Sequence, residues 1–445
     1  MERVKVAADI SVLGSRFSAT DPRHGIYNVV EHLVREICER DDIDLTAVGL
    51  CGDDPLATSI KASLYLEHQN PPLTCSFQRT FKVTPALTRL YTLVFRATLS
   101  GALDRMPPGS PRRAFLRSVR AMLYRMAYLY RVFPPRHIFD YKAFDVFHCP
   151  HIELPAKKVT GDLPRVITIY DIIPAIRQDF VSNQHAAFFK SKLAEIDVAH
   201  DWVVCISEFT RQEFCDHTGM SPDRCSVAPL AAAPSFRPVS DLAAIAATRA
   251  RYGIPEGEYF LSLAAPQPRK NLAHLIRCFF RLLDEHHLPD TYLVLAGSKD
   301  LGWMYDEIFT AAESSLKHRS RVIFTGYVAD EDLAALYSGA VALVYPSLYE
   351  GFGLPALEAM ACGTAVITSN TTALPEVVGN AGLVVDPTDA DGLCEAMLTM
   401  VEDDEVRQEL GRRGLKRAAE FSWERCAEET ARVYHAAAGE RLRMV

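Results

Sequence analysis

The 445-residue chain contains no stretch of 18 apolar residues free of charge, so no segment reads as a membrane-spanning helix. It contains no Cys-x-x-Cys pair, although it carries 11 cysteines; each stands alone, several in apolar runs such as Val203-Val204-Cys205-Ile206. Zinc ribbons and thioredoxin-type dithiols are thereby excluded, and singly placed thiols fit a reducing, cytoplasmic setting. No Gly-x-Ser-x-Gly elbow marks a hydrolase nucleophile. No Asp, Glu or His group stands at metal-ligand spacing; His148 and His151 have no third ligand near them in sequence and read as strand-end histidines. Met1 to Ile10 lacks the apolar core of a signal peptide, so no leader is expected. Positive charge is not in excess either: 48 Lys and Arg face 56 Asp and Glu, a net charge of −8, which leaves nucleic acid no general attraction. Short-period repeats and low-complexity tracts are absent.

What is present is an ordinary globular composition, 49% hydrophobic and 23% charged, in a chain long enough for two or three domains. Short β-branched runs alternate with helical periodicity. In the first half the expected strands are Val4–Ile10, Leu45–Val48, Val146–His148, Arg165–Ile169, Trp202–Ile206 and Ser226–Ala228. In the second they are Tyr259–Ala264, Tyr292–Ala296, Val322–Thr325, Ala342–Tyr345, Ala365–Thr368 and Leu383–Val385. Continuous apolar strands separated by helices indicate parallel sheets covered on both faces. The pattern predicts two doubly wound α/β domains joined within Pro229–Asp241.

In such sheets ligands bind beyond the carboxyl ends of the strands. After Ala342–Tyr345 comes Pro346-Ser347-Leu348-Tyr349-Glu350-Gly351-Phe352-Gly353-Leu354-Pro355, then a helix carrying Glu358. Two glycines let backbone amides approach a ligand, and Pro355 suits the first helical turn, so the helix starts near Leu354. Its free N–H groups then form an anion site. Arg269 and Lys270 follow another strand end; a planar fork beside a point charge suits a diphosphate. Glu350 and Glu358 suit sugar hydroxyls, which are neutral donors. Ser207, ahead of Glu208, reads as a helix N-cap, and Trp423 as a packing residue.

These residues resemble the retaining glycosyltransferases of family 4, which have the GT-B fold. The resemblance is carried by Tyr345–Gly363, Leu374-Pro375-Glu376-Val377-Val378-Gly379, Pro268-Arg269-Lys270-Asn271-Leu272, Leu295-Ala296-Gly297 and Phe324-Thr325-Gly326-Tyr327-Val328. In the first half Gly25-Ile26, Asp145–His148, Asp171-Ile172-Ile173-Pro174 and Ile206–Thr210 match more loosely. The resemblance implies two Rossmann-like domains facing across a cleft: an acceptor domain over 1–235, a nucleotide-sugar domain over 236–420, and a helix over 421–445 crossing back. It implies transfer of a mannose-, rhamnose- or glucose-like sugar from a UDP- or GDP-linked donor to a saccharide or lipid-linked acceptor in surface polysaccharide assembly, with retention and without a metal.

Residue by residue, Arg269 and Lys270 would hold the diphosphate. Glu350 would meet the donor sugar, with Gly351, Phe352, Gly353 and Leu354 offering backbone amides. Glu358 would accept from the ribose, Gly326, Tyr327 and Val328 would meet the base, and Gly25 would approach the diphosphate from the other domain. Asp171 and Tyr170 complete the expected catalytic set. Tyr27 stands where many relatives carry a second glycine, and Tyr170 where many carry histidine, so the donor pocket is expected to differ in shape. The alternatives are a catalytically silent sugar-nucleotide-binding module, or another GT-B enzyme such as an epimerase or phosphorylase.

The remaining stretch, 79–137, lies outside that resemblance. From Arg79 to Arg136 twelve Lys and Arg face one acid, Asp104. Phe115, Met122, Tyr124, Tyr128 and Tyr130 are interleaved, and Pro107-Pro108-Gly109-Ser110-Pro111 divides the stretch into two helices. The sequence alone supports two readings: a basic helical insertion that rests peripherally on anionic lipid at the inner membrane face, or one whose arginines pair internally.

Overall fold

The computed structural model of the protein describes residues 3–14, 25–51, 55–67, 72–81, 85–99, 106–107, 109–132, 138–151, 153–263, 267–297 and 305–444. Within them the chain forms two parallel sheets. The first contains β1 (Val4–Asp9), β2 (Ile43–Val48), β3 (Ser76–Phe77), β4 (Val146–Cys149), β5 (Arg165–Ile169), β6 (Trp202–Cys205) and β7 (Cys225–Val227) in the order β3-β2-β1-β4-β5-β6-β7. The second contains β8 (Glu258–Leu263), β9 (Thr291–Ala296), β10 (Val322–Gly326), β11 (Ala342–Tyr345), β12 (Ala365–Ser369) and β13 (Leu383–Val385) in the order β10-β9-β8-β11-β12-β13. Each sheet reverses its winding once, between β1 and β4 and between β8 and β11. Those reversals are where doubly wound sheets open a crevice.

The apolar runs explain why the strands form. Every residue of β4, β5, β11 and β12 is buried, as expected of strands covered by helices on both faces. All twelve expected strands are present, apart from Ala264, which lies outside the described residues. The thirteenth, β3, is a two-residue edge strand too short to show a period.

The helix Trp423–Met444 returns to the first sheet. Tyr434, fully buried, shares a 2.7 Å hydrogen bond with Nδ1 of His148 on β4. Arg441 donates to the Phe144 carbonyl, and Arg224 pairs with Glu440. Trp423, at the start of the helix, is buried and stacks on His32 of the helix Gly25–Cys38, centroids 5.0 Å apart.

The basic stretch forms the helices Pro85–Leu99 and Pro111–Val132, divided where the prolines predict. Leu116, Val119 and Leu123 pack on Leu56, Ile60, Tyr91 and Val94. The opposite side of Pro111–Val132 exposes Arg112, Arg117, Arg120 and Arg125 together with Phe115 and Met122. Lys82, Asp104, Arg105, Arg136 and the side chains of Tyr124, Tyr128, Tyr130 and Arg131 lie outside the described residues. Among the described residues no helix is long and apolar enough to cross a membrane.

Candidate active site

The site lies at the β8/β11 reversal and faces the first sheet. Following β8, the chain makes a short turn, Pro268–Lys270, closed by Asn271 in the left-handed region at φ 59°. The Asn271 amide donates to the carbonyls of Pro346 and Pro387, and Leu348 N donates to the Arg269 carbonyl at 2.7 Å. The turn is thus bonded directly to the loop that follows β11, which brings residues 80 positions apart into one cluster.

At its centre is Glu350, 6% exposed. One carboxylate oxygen, Oε1, accepts from Lys270 Nζ at 2.6 Å and from the Tyr345 hydroxyl at 2.7 Å; Oε2 accepts from Arg269. Lys270 Nζ also donates to the Tyr345 oxygen and lies 4.6 Å from the centroid of that ring. Burial alone would raise the Glu350 carboxyl, but Lys270 and Arg269 more than offset it and bring it to about 2. For Lys270 burial dominates and lowers the ammonium to about 8, with Glu350 opposing. The cluster therefore holds two cations on one carboxylate, with net positive charge for an incoming anion.

The helix Leu354–Ala361 begins where predicted, with Pro355 in its first turn and Gly353 as its cap at φ 110°, a conformation that an L side chain rarely adopts. Gly351 is required for a different reason. A Cβ there would lie 2.1 Å from the Tyr170 carbonyl oxygen, across the interface with the first sheet. The Gly351 carbonyl also accepts from Ser207 Oγ, at 2.7 Å, and Glu376 accepts from the amides of Glu208 and Phe209, so a helix of the first sheet is capped in part by the second. Ser207 itself caps that helix by accepting from Thr210 N, as expected.

Between the two sheets is a cavity of about 780 Å³, lined by Gly25, Asn28, Tyr170, Asp171, Arg269, Lys270, Tyr345, Glu350 to Pro355, and Glu358. Glu358 accepts from the Tyr337 hydroxyl at 2.9 Å, and burial pushes its carboxyl up to about 8. On the β10 side the lining is Asp330 and Leu333; Gly326, Tyr327 and Val328 stand at the end of β10 itself. Tyr170, Asp171 and Arg269 also border a second cavity, about 380 Å³, walled by Ile173, Phe180, Phe188 and Phe189 on the first-sheet side. The Tyr170 hydroxyl donates to the Pro150 carbonyl at 2.9 Å. Burial raises the Asp171 carboxyl, with Arg269 opposing, and Asp171 accepts from Ile173 N.

Two groupings were missed by sequence reasoning. Tyr345 and Tyr337 join the site as hydrogen-bond partners of Glu350 and Glu358; as aromatics in apolar segments they carry no signal distinct from core packing. Cys51, Cys149 and His151 also converge, their ligand atoms within 4.8 Å of one another, so His151 does have neighbours of metal-binding type. Their polar atoms are already engaged: both thiols donate to the Glu153 carbonyl, and His151 bonds Asp9 and Glu153 N.

Two parallel Rossmann-like sheets facing across a cleft, with cations and a helix N-terminus at the reversal of the second, define a GT-B transferase. A family model described as glycosyl transferases group 1 matches residues 245–417. O-antigen chain mannosyltransferase B of Escherichia coli is 34% identical over 309 residues, covering 68% of this chain and 78% of that protein. Serotype-specific mannosyltransferase WbdA of Escherichia coli is 35% identical over 276 residues, covering 61% of this chain but only 33% of that longer protein. The Anabaena protein HepE, solved in complex with UDP and glucose, superposes with a TM-score of 0.59 at 15% identity, covering 97% of this chain and 99% of that one. The chain belongs to the group 1 glycosyltransferases.

Proposed function

We propose that the chain is a retaining, metal-independent hexosyltransferase of family 4 that moves a mannose-like sugar from a GDP- or UDP-linked donor to a saccharide or lipid-linked acceptor in cell-surface polysaccharide assembly. The observation that carries this reading is the Arg269, Lys270 and Glu350 cluster beside the N-terminus of Leu354–Ala361, on the wall of a cavity of about 780 Å³. Mannose is favoured because the two relatives above are named mannosyltransferases.

In this scheme Arg269 and Lys270 take up the charge that grows on the diphosphate as the sugar C–O bond breaks, the work a divalent metal does elsewhere. Amides of Gly351 to Leu354 add the helix N-terminus to that charge sink, and Gly25 approaches from the facing helix. Glu350, relieved of its cations, accepts from the donor sugar; Glu358 accepts from the ribose, and Gly326, Tyr327 and Val328 flank the base. The acceptor enters through the second cavity, past Tyr170 and Asp171. A leaving phosphate oxygen takes its proton while the new bond forms on the face just vacated, which retains the anomeric configuration.

The exposed cations of Pro111–Val132 support a peripheral contact with anionic membrane, where a lipid-linked acceptor would be presented. Arg113 turns inward to the Met106 carbonyl, but Arg112, Arg117 and Arg125 make no ion pair among the described residues. Nucleoside diphosphate release from GDP-mannose, UDP-glucose and dTDP-rhamnose, measured with and without EDTA, tests the activity. GDP-mannose turnover that survives EDTA, with an α-linked product by NMR, is expected. Failure with every donor leaves the silent binding module; an inverted product removes retention.

A further inference from the structure

Lys270 ends in an ammonium on a four-carbon stem, and such stems are flexible. Its two charged neighbours, Glu350 and Arg269, must both change partners when a diphosphate arrives, because Glu350 now neutralises the cations that the diphosphate needs. A carboxylate that leaves takes its hold on Lys270 with it. One contact of Lys270 is to an uncharged group. The Tyr345 hydroxyl accepts from Lys270 Nζ and donates to Glu350 Oε1, and the Tyr345 ring lies 4.6 Å from the ammonium. Tyr345 is the last residue of β11, 2% exposed, with its carbonyl bonded to Thr368 Oγ1 of β12 at 3.0 Å, so its backbone is locked into the sheet.

We infer that Tyr345 is a positioning residue: its hydroxyl, uncharged and fixed by the sheet, holds the Lys270 ammonium at the diphosphate while Glu350 is released towards the donor sugar. The inference rests on the transferase reading. It adds a residue that touches no reacting atom and acts through Lys270. Burial keeps the Tyr345 hydroxyl well above its ordinary value, so it stays neutral wherever the enzyme works. An acceptor on an ammonium also favours its charged form, and burial already draws that ammonium down to about 8. Losing the hydroxyl therefore lowers Lys270 further and removes its charge at a lower pH.

Tyr345→Phe keeps the ring and the packing and deletes only the oxygen. Turnover should fall roughly 10-fold or more with the donor KM within about threefold, and the basic limb of the pH profile should move down by half a unit or more. In parallel, ε-13C-labelled lysine NMR on the donor-free protein follows Lys270 directly, its signal assigned by loss in Lys270→Arg. The Lys270 titration should shift down in Tyr345→Phe. Unchanged turnover, a change confined to KM, or an unmoved Lys270 titration overturns the inference. If the wild-type chain releases no diphosphate from any donor, the proposed function has failed instead, and the lysine titration still decides whether Tyr345 holds Lys270.

Discussion

Glu358→Gln should make the empty protein more stable while weakening its grip on nucleotide. Glu358 titrates near 8 in the folded chain against an ordinary 4.5, because burial penalises its charged form. A carboxyl raised in this way adds no penalty below its unfolded value, and takes stability away as pH climbs from 4.5 towards 8. At pH 7 the full penalty would be about 3 kcal/mol. Glu358 borders the cavity and is partly open to it, so solvent screens part of this and about 1.5 kcal/mol is the working figure. Glutamine keeps an oxygen to accept from the Tyr337 hydroxyl and carries no charge, so it removes the penalty. For a chain of this length that is a gain of roughly 1 to 3 °C in melting temperature. Differential scanning calorimetry from pH 4.5 to 8 should show the gain absent at the acid end and growing with pH. Calorimetric titration with the nucleoside diphosphate at pH 9, above that value, should show binding about tenfold weaker, since under the proposed ribose contact a hydroxyl loses a charged acceptor. A variant no more stable than wild type at pH 7.5 would mean that Glu358 is ionised in the empty site, and the reasoning fails.

Lys270→Ala should preserve the far-ultraviolet circular dichroism yet cut turnover on the order of 10²-fold or more, the size expected for one charge-stabilising donor; wild-type rates sink the assignment. Gly351→Ala sets a methyl against the Tyr170 carbonyl, so the two sheets must part there; turnover should drop at least tenfold and small-angle scattering should report a wider particle, and an unchanged particle with full activity contradicts the contact. Reversing Arg112, Arg117 and Arg125 together should abolish co-sedimentation with anionic vesicles at low salt, each cation being worth about 1 kcal/mol at such a surface; equal sedimentation of both proteins refutes the membrane contact.

Much of the architecture was legible because parallel strands covered on both faces write themselves as unbroken apolar runs. The loop after β11 was legible for a different reason: Pro355 and the glycines at 351 and 353 have backbone duties that few other residues perform. What stayed hidden depends on which atoms meet. The alternation of elements predicts that Arg269, Lys270 and Glu350 share one end of a sheet; it does not say that a tyrosine hydroxyl bridges two of them. Tyr170 illustrates the limit: its place at a strand end was readable, but the direction of its hydroxyl, towards Pro150, depends on a loop 20 residues earlier. Cys51 and Cys149 are 98 residues apart and lie at the ends of neighbouring regions of one sheet, a meeting no local spacing reports.

The helix Trp423–Met444 has a consequence for how the protein is made. Tyr434 seals against His148, and Glu440 and Arg441 bond to Arg224 and the Phe144 carbonyl, so the interior begun by β1 is finished by this helix. A ribosome delivers the whole second sheet before it delivers that seal. The half of the molecule synthesised first is therefore the half completed last: it must wait, with one flank bare, until that helix has been made. A chain halted near residue 420 would hold a finished second sheet tethered to an unfinished first one, and surface left bare in this way is what makes incomplete chains prone to aggregate.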